Sequence, residues 1–257
     1  MKTFSPKKYI PIDYRTWVLG NEARNGVNIK RLGVLTPKEL ELWNNSVHYQ
    51  DQRNDPGHGE ISTFFGIRLL DYLPGIREVV IPSIIFHDTG WHGNDPDAWK
   101  RLVESNKGNL KVLDSEELRR PHQNRGIMVA GRGFKKVGYP PEEYHFEIAD
   151  IIGDHDTRKL PTTDSGRIMR IADLLWRVTY PHAQTYMTNW SPEDIFKRVK
   201  ETCMEREKTH LGEVGLGIGR IEFANTMFFK FGEEAERVLL LEYKEELERI
   251  VLFTRSV

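Results

Sequence analysis

Residues 140–155 read PPEEYHFEIADIIGDH. Two prolines and two glutamates suit the first turn of a helix, where a missing N–H costs little and negative charge meets the positive end of the helix dipole. Tyr144, Ile148, Ile151 and Ile152 follow at helical spacing and form one apolar stripe. His155 falls on the same stripe and ends it. An imidazole is thus aimed at an interior from the end of a helix.

Working outward, the helical signature returns along the chain. Thr36-Pro37-Lys38-Glu39 reads as a cap, a first-turn proline and a helix start. Asp55-Pro56 opens a segment with Ile61, Phe64, Phe65 and Leu69 on one face. Ile84-Ile85-Phe86 is an apolar run that Gly90 is placed to stop. Asp114 with Glu117 has the form of a capping box. Asp164-Ser165 precedes the run Arg167 to Val178, which Pro181 should end. Ser191-Pro192-Glu193-Asp194 starts a helix that Gly212 closes, and Gly232 precedes a last long helix reaching about Phe253. Residues 1–36 lack periodicity and predict an extended lead-in packed on the domain; Gly90 to Asp114 predicts a loop-rich stretch. Alternating strand patterns are scarce. The expected fold is all-α, a compact helical bundle forming one domain over residues 1–257.

Composition narrows the function. A hydrophobic share of 39% and a charged share of 29% are those of an ordinary globular chain. The net charge of −1 supplies no field for duplex nucleic acid or an anionic membrane. The lone Cys203 excludes an intramolecular disulfide framework and a cysteine-built zinc site. Neither the N-terminal residues nor the longest apolar runs read as a signal peptide or a membrane span, so a cytoplasmic, soluble protein is expected. There is no GxxxxGK[ST] or GxSxG motif, and Gly215-Leu216-Gly217-Ile218-Gly219-Arg220 reads as a flexible loop.

His155 does not stand alone. His58 extends the stripe of Ile61 and Phe65, and His87-Asp88 ends the Ile84–Phe86 run. His122 shares a face with Gly126, Val129 and Gly133, whose small residues let a neighbouring helix approach. One inward histidine is ordinarily a hydrogen-bonded core residue; several, each near a helix end, suggest a metal centre. Neutral imidazoles suit first-row transition ions and carboxylates add hard oxygen donors. With Asp173, in a helix apolar nearly all round, the donors are too many for one tetrahedral zinc. His48, His145, His182 and His210 have no place in the pattern.

The ordered set, His58 in DPGHGE, His87-Asp88 in SIIFHDTG, His122 in RPHQNRG, His155 in IGDHDT and Asp173 in RIADLL, resembles the HD-domain superfamily. The resemblance covers about residues 50–180, with C-terminal helices over 190–254 beyond it. It implies a dinuclear centre in which His58, His87 and Asp173 hold one ion, His122 and His155 the other, and Asp88 bridges. Iron or manganese is expected, with zinc, nickel, cobalt or magnesium as other candidates. Many members carry Lys three positions after the Asp of the dipeptide; here Trp91 stands there, so no substrate is inherited. Asp88 and His92 are the expected catalytic residues, and Asp156 and Arg158 the expected substrate contacts.

The implied activity is metal-dependent hydrolysis of a small phosphate ester or nucleotide. Two alternatives stand beside it: a mixed-valent di-iron oxygenase, and a non-catalytic, metal-stabilised nucleotide-binding module. A phosphorylated small molecule is the expected partner. Leu240, Tyr243, Leu247 and Ile250 have a heptad-like spacing suited to a homodimer, although core packing is the commoner use of such a stripe.

Overall fold

Thr36 caps the first helix as its sequence predicts. Its hydroxyl accepts from the Glu39 amide at 3.3 Å, while the Glu39 carboxylate accepts from the Thr36 amide at 2.7 Å. The reciprocal pair satisfies two backbone donors that a helix start leaves open. The structure is a computed structural model that describes residues 3–16, 35–50, 57–91, 116–240, 242–248 and 250. Every regular element among the described residues is helical, so the fold is all-α.

In chain order the α-helices begin with α1 (Pro37–Ser46), α2 (His58–Leu70), α3 (Arg77–Phe86), α4 (Glu116–Val137) and α5 (His145–Asp154). They continue with α6 (Asp164–Trp176), α7 (Tyr180–Tyr186), α8 (Pro192–Val199), α9 (Lys208–Phe231) and α10 (Glu233–Leu239). The Asp55-Pro56 opening, the Asp114 cap and residues 92–114 of the expected loop lie outside the described residues. The chain divides into two compact units. A medial unit comprises Asn28–Gln52 and Pro74–Arg170; a terminal unit comprises Met1–Val27, Arg53–Leu73 and Ile171–Val257.

In the medial unit, Arg77 on α3 donates to both oxygens of the fully buried Glu39 on α1, each at 2.7 Å. This bidentate geometry is the strong form of an ion pair. Val79, Val80, Ile81, Ile85 and Phe86 of α3 and Ile148 and Ile152 of α5 are completely buried. Each such side chain contributes roughly 1.5–3 kcal/mol of burial. Glycines on α4 allow the close approach read from sequence. A Cβ at Gly126 would meet the carbonyls of Phe86 and His87 at 3.2 Å, and one at Gly133 would meet the Phe86 ring at 2.8 Å. Gly90 serves the same contact rather than a helix stop, since α3 already ends at Phe86 and a Cβ on Gly90 would fall 1.7 Å from the His122 carbonyl oxygen.

In the terminal unit, the lead-in docks on a buried acid. Glu222 on α9 accepts from the Tyr9 hydroxyl at 2.7 Å, the Ile12 amide at 3.1 Å and the Tyr14 hydroxyl at 3.1 Å. Burial pushes the Glu222 carboxyl above its ordinary value despite these donors.

The expected flexible loop at Gly215–Arg220 is overturned, because these residues lie within α9. Gly215 and Gly219 share a face four residues apart and pack against Ile171 and Leu175 of α6, also four apart, while Gly217 receives Phe4 on another face. Tertiary contact thus overrides the poor helix propensity of glycine. Two helix stops also differ from expectation. Pro181 opens α7 instead of ending α6, and α10 stops at Leu239 rather than running on to Phe253. Tyr243, Leu247 and Ile250 are buried in this unit's own core, whereas Leu240 is half exposed. No helix among the described residues is long and apolar enough to cross a membrane.

Candidate metal centre

The centre is built from two helix ends of the same design. α3 and α5 each finish in a histidine followed by an aspartate, His87-Asp88 and His155-Asp156. Each imidazole turns its Nδ1 back to a carbonyl three residues earlier, His87 to Ile84 at 2.7 Å and His155 to Ile152 at 2.8 Å. A carbonyl oxygen only accepts, so Nδ1 carries the proton and Nε2 is left as the electron-pair donor. The last turn of a helix leaves such carbonyls open, which is why a histidine placed there is held so firmly. Both rings are buried, and they meet edge to face with centroids 5.1 Å apart.

His122 on α4 completes the group. The close packing of α4 at Gly90 and Gly126 brings its Nε2 to 3.4 Å from that of His155. Asp156 Oδ2 lies 3.3 Å from His122 Nε2 and 3.5 Å from His155 Nε2. Asp88 Oδ1 lies 3.2 Å from His155 Nε2 and 3.7 Å from His122 Nε2. Its other oxygen faces His87 Nε2 at 3.3 Å. One donor atom each from Asp88, His122, His155 and Asp156 falls within a span of 4.8 Å. Among these groups, carboxylate oxygens and imidazole nitrogens point at one another.

That arrangement calls for positive charge between the donors. In a neutral His155 the Nε2 lone pair would face two carboxylate oxygens, a repulsive contact that a proton or a metal ion relieves. The proton's share is visible in the pKa directions. Burial alone would lower His155, but Asp156 and then Asp88 outweigh it and the value is raised. His122 is lowered, first by burial, although Asp156 and Asp88 oppose the shift. Burial works against the Asp156 carboxylate, yet His155, His122 and Arg119 hold it at about 2. The donor set therefore fits a divalent cation: two buried nitrogens and two anionic oxygens around one point.

Neighbours fix the donors. Arg119 binds Asp156 through its Oδ1 at 3.1 Å and its backbone carbonyl at 3.2 Å. Trp91 stacks on the His122 ring at 3.9 Å between centroids, with planes 14° apart, and its indole N–H donates to Asp88 Oδ1 at 3.2 Å. At the position where the resemblance leads one to expect a lysine, the chain has a residue that covers the His122 ring and bonds Asp88.

In the terminal unit, His58 opens α2 and its Nε2 lies 2.9 Å from Asp173 Oδ1 on α6. The His58 ring stacks on Trp176 at 5.4 Å. Asp173 thus turns to a buried imidazole instead of joining a solvated face.

Four of the six sequence-predicted ligands, His87, Asp88, His122 and His155, gather in the medial unit, and the other two pair in the terminal unit. Asp156, expected as a substrate contact, stands among the donors. The signal that could have placed it is the repeated His-Asp at a helix end. Arg158 is engaged by Asp150, at 2.7 and 2.8 Å, and by Asp154. His92 lies outside the described residues. His145 bonds the Pro140 carbonyl at 2.9 Å, a structural use. No family model, no curated protein and no solved structure matches this chain.

Proposed function

We propose that this chain is a metal-dependent phosphohydrolase acting on a small phosphate ester or nucleotide. The observation that carries the proposal is the convergence of Asp88, His122, His155 and Asp156 within 4.8 Å, a cluster of mixed nitrogen and oxygen donors. A divalent ion bound there supplies Lewis acidity and lowers the pKa of water, the two services that hydrolysis of a phosphate ester needs near neutral pH.

The chain's own residues prepare that site. His155 and His87 are locked with Nε2 inward by their helix-end carbonyls. Asp88 directs its two oxygens to different imidazoles, the posture of a bridging carboxylate. Arg119 anchors Asp156, and Trp91 shields His122 from water. Asp156 raises the share of hard oxygen donors, which manganese accepts as readily as iron.

The test is phosphate release from a panel of nucleoside monophosphates, sugar phosphates and aryl phosphates, with manganese or iron added, in air and under argon. The expected result is release from at least one ester in both atmospheres, abolished in Asp88→Ala. Turnover that consumes oxygen and stops under argon would replace hydrolysis with oxygenase chemistry. Silence across the panel from metal-loaded protein would refute the proposal.

A further inference from the structure

Within the terminal unit lies a cleft of about 320 Å³, lined from the end of α6 through α7 and α8 to the π-helical turn Lys200–Glu205 and Arg206. That volume is at the lower end of the roughly 300–1,000 Å³ typical of small-molecule pockets. None of its lining residues belongs to the ligand set of the metal centre. Short π turns of this kind occur frequently at functional sites.

The charge of the cleft is one-sided. Arg177, Arg198 and Arg206 line it, and no carboxylate among the described residues does. Glu207 stands behind them, 3.0 Å from Arg206 Nε and 4.0 Å from Arg177. No carboxylate among the described residues lies within ion-pair distance of Arg198, which is exposed. Glu207 offsets part of this charge, and the excess carried by Arg198 suits an anion, since the planar guanidinium fork matches a phosphate. His182, also in the wall, stays neutral, because burial and then Arg177 hold it at about 3. It adds hydrogen-bonding capacity without charge.

The aromatic lining narrows the ligand further. Tyr186 and Trp190 border the cleft with 48% and 42% of their surfaces exposed, although both are large and partly apolar. Met187 and Val199 are buried beside them. Exposed rings next to clustered guanidiniums suit a ligand with a planar face at one end and a phosphate at the other. A volume of about 320 Å³ suits a small molecule rather than a polymer.

We propose that this cleft binds a mononucleotide, its phosphate held by Arg177, Arg198 and Arg206 and its base set against Trp190 and Tyr186. The site stands independently of whether the medial cluster carries metal.

The experiment is calorimetric titration of the intact chain in EDTA with AMP, GMP, adenosine and inorganic phosphate. AMP or GMP is expected to bind at least about tenfold more tightly than either adenosine or phosphate. Arg198→Glu is expected to weaken nucleotide binding by about tenfold or more, and Trp190→Ala to weaken it while leaving phosphate binding unchanged. Both positions are exposed, and an unchanged melting temperature verifies that each variant is folded. Absence of mononucleotide binding would overturn the proposal. So would phosphate binding as tight as AMP, or AMP binding that both substitutions leave intact. A chain that binds AMP in EDTA yet hydrolyses no ester with manganese would refute the hydrolase and leave the cleft standing.

Discussion

Asp88 and Asp156 each follow a histidine that closes a helix, and each turns an oxygen toward the Nε2 atoms of His122 and His155. Asp156→Ala removes one of four converging donors, and manganese affinity measured by titration is expected to fall more than about tenfold; Arg119→Ala, which frees Asp156 without removing it, is expected to cost about tenfold. Unchanged affinity in Asp156→Ala would remove that residue from the site. The convergence of His87, Asp88, His122 and His155 was legible because His87-Asp88 and His155 end apolar runs and His122 lies on a face of small residues. The position of Asp156 was not, because it depends on α4 passing close to the end of α5, which no local periodicity encodes. Glu222 offers a separate test at this scale. Its raised pKa means the folded state holds the proton more tightly, so its contribution favours folding in acid and is lost as pH rises from the ordinary carboxyl value through the raised one. Glu222→Gln cannot lose it. Its melting temperature relative to wild type is therefore expected to rise between pH 5 and pH 7, and a constant or falling difference would contradict this account of the buried acid.

Among the elements, the approach of α4 to the end of α3 sets the geometry of the centre. Gly90→Ala would place a methyl group 1.7 Å from the His122 carbonyl, where a backbone atom cannot yield cheaply. Overpacking of this kind costs typically 1–3 kcal/mol and sometimes more, so about 3 kcal/mol is expected by denaturant titration, with weakened metal uptake. Gly131→Ala, on α4 itself with nothing within 4 Å, is the control and is expected to be neutral or stabilising by up to about 1 kcal/mol. Equal effects at both positions would show that the contact between Gly90 and the His122 carbonyl does not set the packing of α4. The caps at Thr36 and Ser191 were readable because they are local hydrogen bonds written in adjacent residues. The glycines of α9 misled for the opposite reason. Their helical state depends on Ile171, Leu175 and Phe4, which are distant in sequence.

For the molecule as a whole, composition and apolar spacing sufficed for the all-helical class, while the interleaving of chain segments into two compact units was not visible in them. Each unit holds part of the ordered His and Asp set, and each has its own buried core. The central claim is that the medial cluster binds metal. It is tested most directly by elemental analysis of the intact chain after loading with manganese or iron and removal of excess, beside a His122→Ala/Asp156→Ala double variant of verified fold. Bound metal in the wild-type chain that the double variant fails to retain is the predicted result. A wild-type chain that retains none, or a double variant that retains as much, would contradict the account.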